Sequence, residues 1–147
     1  MLGDILQRDG VIGSKTDVLG MGTNAGFKPF EYIDNNEIVG FDVDLVREIA
    51  KSMGKELKIE DMSFDGLLPA LDSGQIDMVA AGMTVTPERA KNTLFSEPYY
   101  SASQRIIVKK GSPIRNKHQL SGRKIGVQLG TTGDTLASKI SGASVTQ

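Results

Sequence analysis

The stretch that most constrains this chain is an apolar run that ends at a glycine and leads straight into a helix. Ile76-Asp77-Met78-Val79-Ala80-Ala81 reads as a buried strand, and Gly82-Met83-Thr84-Val85-Thr86-Pro87-Glu88-Arg89 follows it. Thr86 is a good N-cap, because its hydroxyl can accept from the first unpaired helical N–H groups. Pro87 suits the first helical position, where its missing donor would be unpaired anyway. Arg89 then falls in the first turn, where the helix dipole disfavours a cation. A positive side chain on a positive helix end makes a site for a small carboxylate or phosphate. The competing reading is an arginine paired with Glu88 or a neighbouring acid, or simply solvated.

The same alternation recurs along the chain. Val18–Thr23 is a short strand, and Phe30–Ile33 with Ile38–Phe41 predicts a hairpin around a four-residue turn, Asp34-Asn35-Asn36-Glu37. Asp42 is expected to cap a helix that places Leu45, Val46, Ile49, Ala50 and Met53 on one face and stops at Gly54. Leu57–Glu60 is the next strand and Phe64–Leu71 a short helix, before the strand at 76–81. Gln104–Lys110 reads as a long strand at a domain crossing. Beyond it come a strand at Lys124–Gln128, a turn at Gly130–Gly133, a helix at Asp134–Ile140 and a strand at Ala143–Gln147. Residues 1–17 carry little pattern beyond a helical turn or two within Leu2–Arg8. Strand alternating with helix predicts an α/β fold with a parallel-type sheet. Ligands bind beyond the carboxyl ends of such strands, and Gly82–Thr84 sits at one of those ends.

Several function classes lack their parts. Seventeen basic against 18 acidic residues give a net charge of −1, so no broad pull on nucleic acid or membrane is encoded. With no cysteine and one histidine, His118 in a polar run, neither a zinc site nor a His-based triad can be assembled. Gly20-Met21-Gly22-Thr23-Asn24-Ala25 matches a dinucleotide fingerprint, but Gly26 and Pro29 stand where the helix should start. No Walker-A loop occurs, and 34–38 fails the calcium-loop pattern at its fifth position. No cofactor is expected. Asp42 and Asp44 are explained by the helix start without a metal. Of the aromatics, Phe30 and Tyr32 alternate on a strand and suit the core. Phe27 and Phe64 precede regular elements and suit either a pocket or the core.

Taken together, the runs 22–32, Gly40–Leu45, Phe64–Leu71, 76–89, Phe95–Tyr99 and Gly126–Gly133 resemble a bacterial extracytoplasmic solute-binding protein for polar amino acids, the component that feeds ABC importers. The resemblance runs from about residue 18 to the end. It implies a periplasmic-binding-protein-like clamshell: lobe 1 and a hinge strand over 18–110, part of lobe 2 over 111–147, and a poorly matched leader over 1–17. It also implies a periplasmic or extracytoplasmic location, with a lipid anchor in a precursor left open, and an ABC transporter permease as partner. By match to the family's motif, Arg89 would hold an α-carboxylate, helped by Thr84, while the backbone of Gly82 meets the α-amino group. Phe27 and Phe64 would sandwich the side chain and Asn24 would touch its polar end. From lobe 2, Thr131 and Thr132 would reach the carboxylate and Gln128 would line the cleft. Two helix N-termini and an arginine would converge on one anion, with charge-assisted pairs of roughly 1.5–3 kcal/mol each.

The ligand expected is free arginine or another basic amino acid, ahead of glutamine. Family members continue past Gln147 and carry there an acidic partner for the ligand's ammonium. The chain is therefore expected to be a fragment that binds amino acids weakly or not at all, with unfinished sheet edges that favour a homodimer or domain swap. The alternatives are an enzyme on the same fold, such as a cyclohexadienyl-type dehydratase, and a flavodoxin-like domain.

Overall fold

Alternation along Val18–Thr23 sends Leu19 and Met21 to one face of a strand, and both are fully buried. The structure, a computed structural model, describes residues 5–6 and 17–147. It divides into two compact units, one ending at Ser101 and the other spanning Ala102–Gln147.

In the first unit the strands are β1 (Ile5–Leu6), β2 (Val18–Thr23), β3 (Gly26–Phe27), β4 (Glu31–Asp34), β5 (Glu37–Val39), β6 (Glu56–Asp61), β7 (Met78–Val79) and β8 (Leu94–Phe95). The helices are α1 (Phe41–Ser52), α2 (Leu67–Asp72), preceded by a 3-10 turn at Phe64–Gly66, and α3 (Pro87–Ala90). A five-stranded sheet has the order β6-β2-β7-β1-β8, with β2 parallel to both β6 and β7, and β1 antiparallel to β7 and β8. The helical turn expected within Leu2–Arg8 lies outside the described residues, except for Ile5–Leu6, which are a strand. Elsewhere β3, β4 and β5 form an antiparallel meander.

Neighbouring residues of β7 face opposite ways and so divide the core in two. Met78 packs with Leu19, Met21, Val43, Val46 and Ala50 beneath α1. Val79 packs with Leu67, Ala70, Leu71 and Ile76 beneath α2. Each such buried aliphatic side chain contributes about 1.5–3 kcal/mol relative to exposure. The glycines of the rejected dinucleotide motif have a packing cause. A Cβ on Gly22 would stand 2.3 Å from Ile76 Cδ1, so Gly22 leaves room on β2 for Ile76, which follows α2, and for Leu67 of α2.

Three local expectations are corrected. The hairpin turn is tighter than expected: Asp34 pairs with Glu37, leaving Asn35 and Asn36 alone at positive φ (47° and 65°), the type I′ geometry that matches strand twist. The strand expected over 76–81 is regular only at Met78–Val79, although its apolar residues are all buried. Asp42 does not cap α1. The leading N–H groups of Phe41 and Asp42 donate instead to the carbonyls of Pro29 (3.0 Å) and Phe30 (2.9 Å).

The second unit holds β9 (Lys124–Gly126), α4 (Thr132–Ala137) and β10 (Ser144–Thr146), with β9 and β10 parallel. Leu120 and Ala137 are its buried apolar residues. Gln104–Lys110 is not a strand. A strand needs a hydrogen-bonded neighbour, and β9 and β10 pair with each other, so Ile107 is left 95% exposed.

Candidate functional site

Arg89 is placed by α3. Thr86 caps that helix as expected, its hydroxyl accepting from the Arg89 N–H at 3.2 Å, and Pro87 occupies the first turn. This directs the Arg89 side chain back along the chain, where Nη1 donates to the Thr84 carbonyl at 2.7 Å. The guanidinium carbon lies 5.5 Å from the centre of the Phe64 ring, within cation–π range. Half-burial lowers the Arg89 pKa from its ordinary value, because water is removed from the cation. Glu88, the acid nearest in sequence, pairs instead with Lys91 at 2.8 Å. One element of the expected anion site is corrected: α3 has four residues and α4 six, too short for a substantial helix dipole. The charge of Arg89 itself carries the attraction.

Gly82 stands at φ +52°, a conformation that L side chains rarely adopt. A Cβ here would meet the Phe27 ring at 2.7 Å. The Gly82 N–H donates to Asp42 Oδ2 at 2.7 Å. Phe27 is 47% exposed, with its ring centre 5.3 Å from that of Phe30, which meets Tyr100 edge-on at 5.0 Å. The Asn24 amide donates to the Met62 carbonyl at 2.7 Å, and the Ala25 N–H donates to Asp61 at 2.8 Å. These bonds fix the loop after β2 against the end of β6. Contacts and short chain links therefore bring Asn24, Phe27, Phe64, Gly82, Thr84 and Arg89 together at one end of the sheet. An open groove lined by Glu60, Asp61, Pro69, Ser73 and Gln75 shares none of them.

In the second unit Thr131 caps α4, accepting from the Asp134 N–H at 3.2 Å and donating to the Gln128 carbonyl at 2.7 Å. Its hydroxyl is thus engaged within its own turn. Thr132 opens the helix and Gln128 is exposed. Asp134 is buried and accepts from Gln147, from the Gly130 N–H at 3.0 Å and from Ser138. The Gln147 and Gly130 bonds hold its pKa below the usual carboxylate value against the opposing effect of burial. Among the described residues no group of His, Cys, Asp and Glu could hold a metal.

Residues 19–143 match the family model described as bacterial extracellular solute-binding proteins, family 3. The chain belongs to this family. The arginine-binding extracellular protein ArtP of Bacillus subtilis is 50% identical over 76% of this chain and 44% of its own length. A probable histidine-binding protein of Campylobacter jejuni is 42% identical over 88% of this chain and 51% of its own. Holo ArgBP from T. maritima superposes with a TM-score of 0.85 at 50% identity, covering 88% of this chain and 59% of that one. The ancestral amino-acid-binding protein AncCDT-1, described as a precursor of cyclohexadienyl dehydratase, gives 0.84 at 40% identity, covering 90% and 61%. The chain thus spans about half the length of these curated relatives. The expected α/β periplasmic-binding-protein fold is shown, matched over 59–61% of the length of these two solved structures.

Sequence reading assigned Asp42 only to the helix start and gave Tyr99 no role. Tyr99 donates to Asp42 Oδ1 at 2.7 Å and stacks on Phe41 with ring centres 5.7 Å apart. A buried aspartate in a glycine-led helix start, with a Pro-Tyr-Tyr segment downstream, was the available signal.

Proposed function

We propose that this chain binds a free amino acid with a cationic side chain, arginine first, in an extracytoplasmic compartment for delivery to an ABC transporter permease. The observation that carries the reading is Arg89, a half-buried guanidinium held by the Thr84 carbonyl and the Phe64 face. An arriving α-carboxylate offsets the desolvation of that cation and forms charge-assisted bonds of roughly 1.5–3 kcal/mol each. The Thr84 hydroxyl and the Gly82 carbonyl complete recognition of the amino-acid backbone. Phe27 and Phe64 offer ring faces to a guanidinium, and Asn24 a dipole to its end. For the second unit, the same reading assigns Thr131, Thr132 and Gln128 to the ligand. Relatives named for arginine and histidine binding support a cationic side chain.

A thermal-shift screen of the twenty amino acids tests this. A ligand at about 100 times its dissociation constant stabilises by roughly 2.7 kcal/mol. Arginine is expected to raise the melting temperature most, and Arg89→Met to abolish the rise. A profile indifferent to arginine overturns the reading.

The likeness to AncCDT-1 favours a second reading, an enzyme acting on a small cyclic carboxylate that the same arginine would anchor. Turnover of a prephenate-like substrate, with no amino acid raising the melting temperature, decides for it.

A further inference from the structure

Asp42 is a fully buried carboxylate on the first turn of α1 that contributes nothing to capping that helix. Its two oxygens have separate partners: Oδ2 accepts from the Gly82 N–H and Oδ1 from the Tyr99 hydroxyl, each at 2.7 Å. A buried carboxylate is tolerated only when its lone pairs are met by well-placed donors, and both bonds lie within the range of charge-assisted pairs. The bond to Gly82 spans 40 positions and fixes a turn whose φ of +52° glycine adopts readily and other residues rarely do. Phe27 lies over the same glycine, so the turn is held from its N–H side by Asp42 and from its α-carbon side by an aromatic ring. Tyr99 adds a stacking contact with Phe41, the residue beside Asp42, and lies near the end of the unit at Ser101.

We propose that Asp42 is a positioning residue for ligand binding, whose carboxylate presets the Gly82 turn and ties it to Tyr99. With its N–H bonded to Asp42, the Gly82 turn is already set with its carbonyl as the acceptor a ligand ammonium would meet, and it need not be ordered when the ligand arrives. Preorganisation of this kind strengthens binding by removing an ordering cost, without a new ligand contact. The neighbouring Asp44 does not share the role, because it is exposed and pairs with Arg47 at 2.6 Å. The inference rests on the amino-acid-binding reading for its effect on affinity, but its geometry stands apart from that reading.

The test is nuclear magnetic resonance of the 15N-labelled 147-residue chain, with L-arginine as probe. The Gly82 amide proton of the wild type is expected downfield and slow to exchange. Asp42→Asn is expected to move it upfield, speed its exchange and weaken L-arginine binding roughly tenfold, as loss of a charge-assisted bond implies. Tyr99→Phe, which keeps the ring stack, is expected to speed Gly82 exchange several-fold and weaken binding about threefold, and it serves also if Asp42→Asn does not fold. A merely structural aspartate would lower the melting temperature and move the Gly82 resonance but leave the L-arginine affinity of the folded variant unchanged, which also overturns the proposal. An unchanged Gly82 amide and affinity in folded Asp42→Asn, or in Tyr99→Phe, overturns the proposal. If L-arginine moves no resonance of the wild type, the binding reading fails, whereas the Gly82 resonance still decides the placement of Asp42.

Discussion

Arg89 donates to the carbonyl of Thr84, five positions earlier, at 2.7 Å. One of the five guanidinium N–H donors is thereby spent on holding the fork in place. The Thr86 cap sets where the helix begins, Pro87 sets its first turn, and the Phe64 face supports the charged plane. A carboxylate site of this kind needs no long helix, only a cation whose rotamer is chosen before the ligand comes.

Phe27 is the aromatic to test for side-chain preference, because its ring is half exposed and its removal leaves the two aliphatic cores untouched. Phe27→Leu is expected to weaken L-arginine binding about fivefold, corresponding to roughly 1 kcal/mol of cation–π attraction. The thermal midpoint should change little. Calorimetric titration checks the first outcome and a melting curve the second.

Gly82 has no tolerated substitute. An alanine there would combine positive φ with a Cβ 2.7 Å from the Phe27 ring. Gly82→Ala is expected to cost about 2 kcal/mol or more, and so to lower the melting temperature by about 4–8 °C. An unchanged melting curve would show that the turn is not held as described.

Asp134 makes the second unit sensitive to acid. Its folded pKa lies below the unfolded value, which is about 3.9. Its contribution is therefore complete above that unfolded value and is lost as pH falls through the lower folded one. Protection of the Gly130 amide against hydrogen exchange should fall as the solution is taken below about pH 4. Asp134→Asn should show less protection at neutral pH and a flatter acid response.

Ile107 stands 95% exposed beside half-exposed Ile106 and Val108. An apolar stretch with unpaired backbone is a template for association. Light scattering is expected to give a mass above that of one chain, and Ile107→Lys to bring it back to the monomer.

Much of this was legible because it is local. The helical spacing of Leu45, Val46, Ile49 and Ala50 marks α1, and Thr86-Pro87 marks the start of α3, since cap chemistry is written within a few residues. What was not legible depends on partners distant in sequence. Asp42 at a helix start looks the same whether it caps the helix or reaches Gly82, 40 positions away. The run at 104–110 carries a strand's composition, but whether it becomes one depends on a neighbouring strand. The predicted binding residues of the first unit fall together at element ends, and two of their side chains are fixed by bonds to backbone carbonyls. For Asn24 that bond is to the Met62 carbonyl, and for Arg89 to that of Thr84.

The central claim is that Arg89 anchors a ligand carboxylate, and a comparison of L-arginine with agmatine, the same molecule without its carboxylate, tests it most directly. Each is titrated into the 15N-labelled chain to millimolar concentration while the Arg89 Nε and Gly82 amide resonances are followed. L-Arginine is predicted to shift both in a saturable way, agmatine to leave Arg89 Nε unmoved, and Arg89→Met to abolish the response of Gly82 to L-arginine. Equal shifts with agmatine, or an undiminished response in Arg89→Met, would contradict the account.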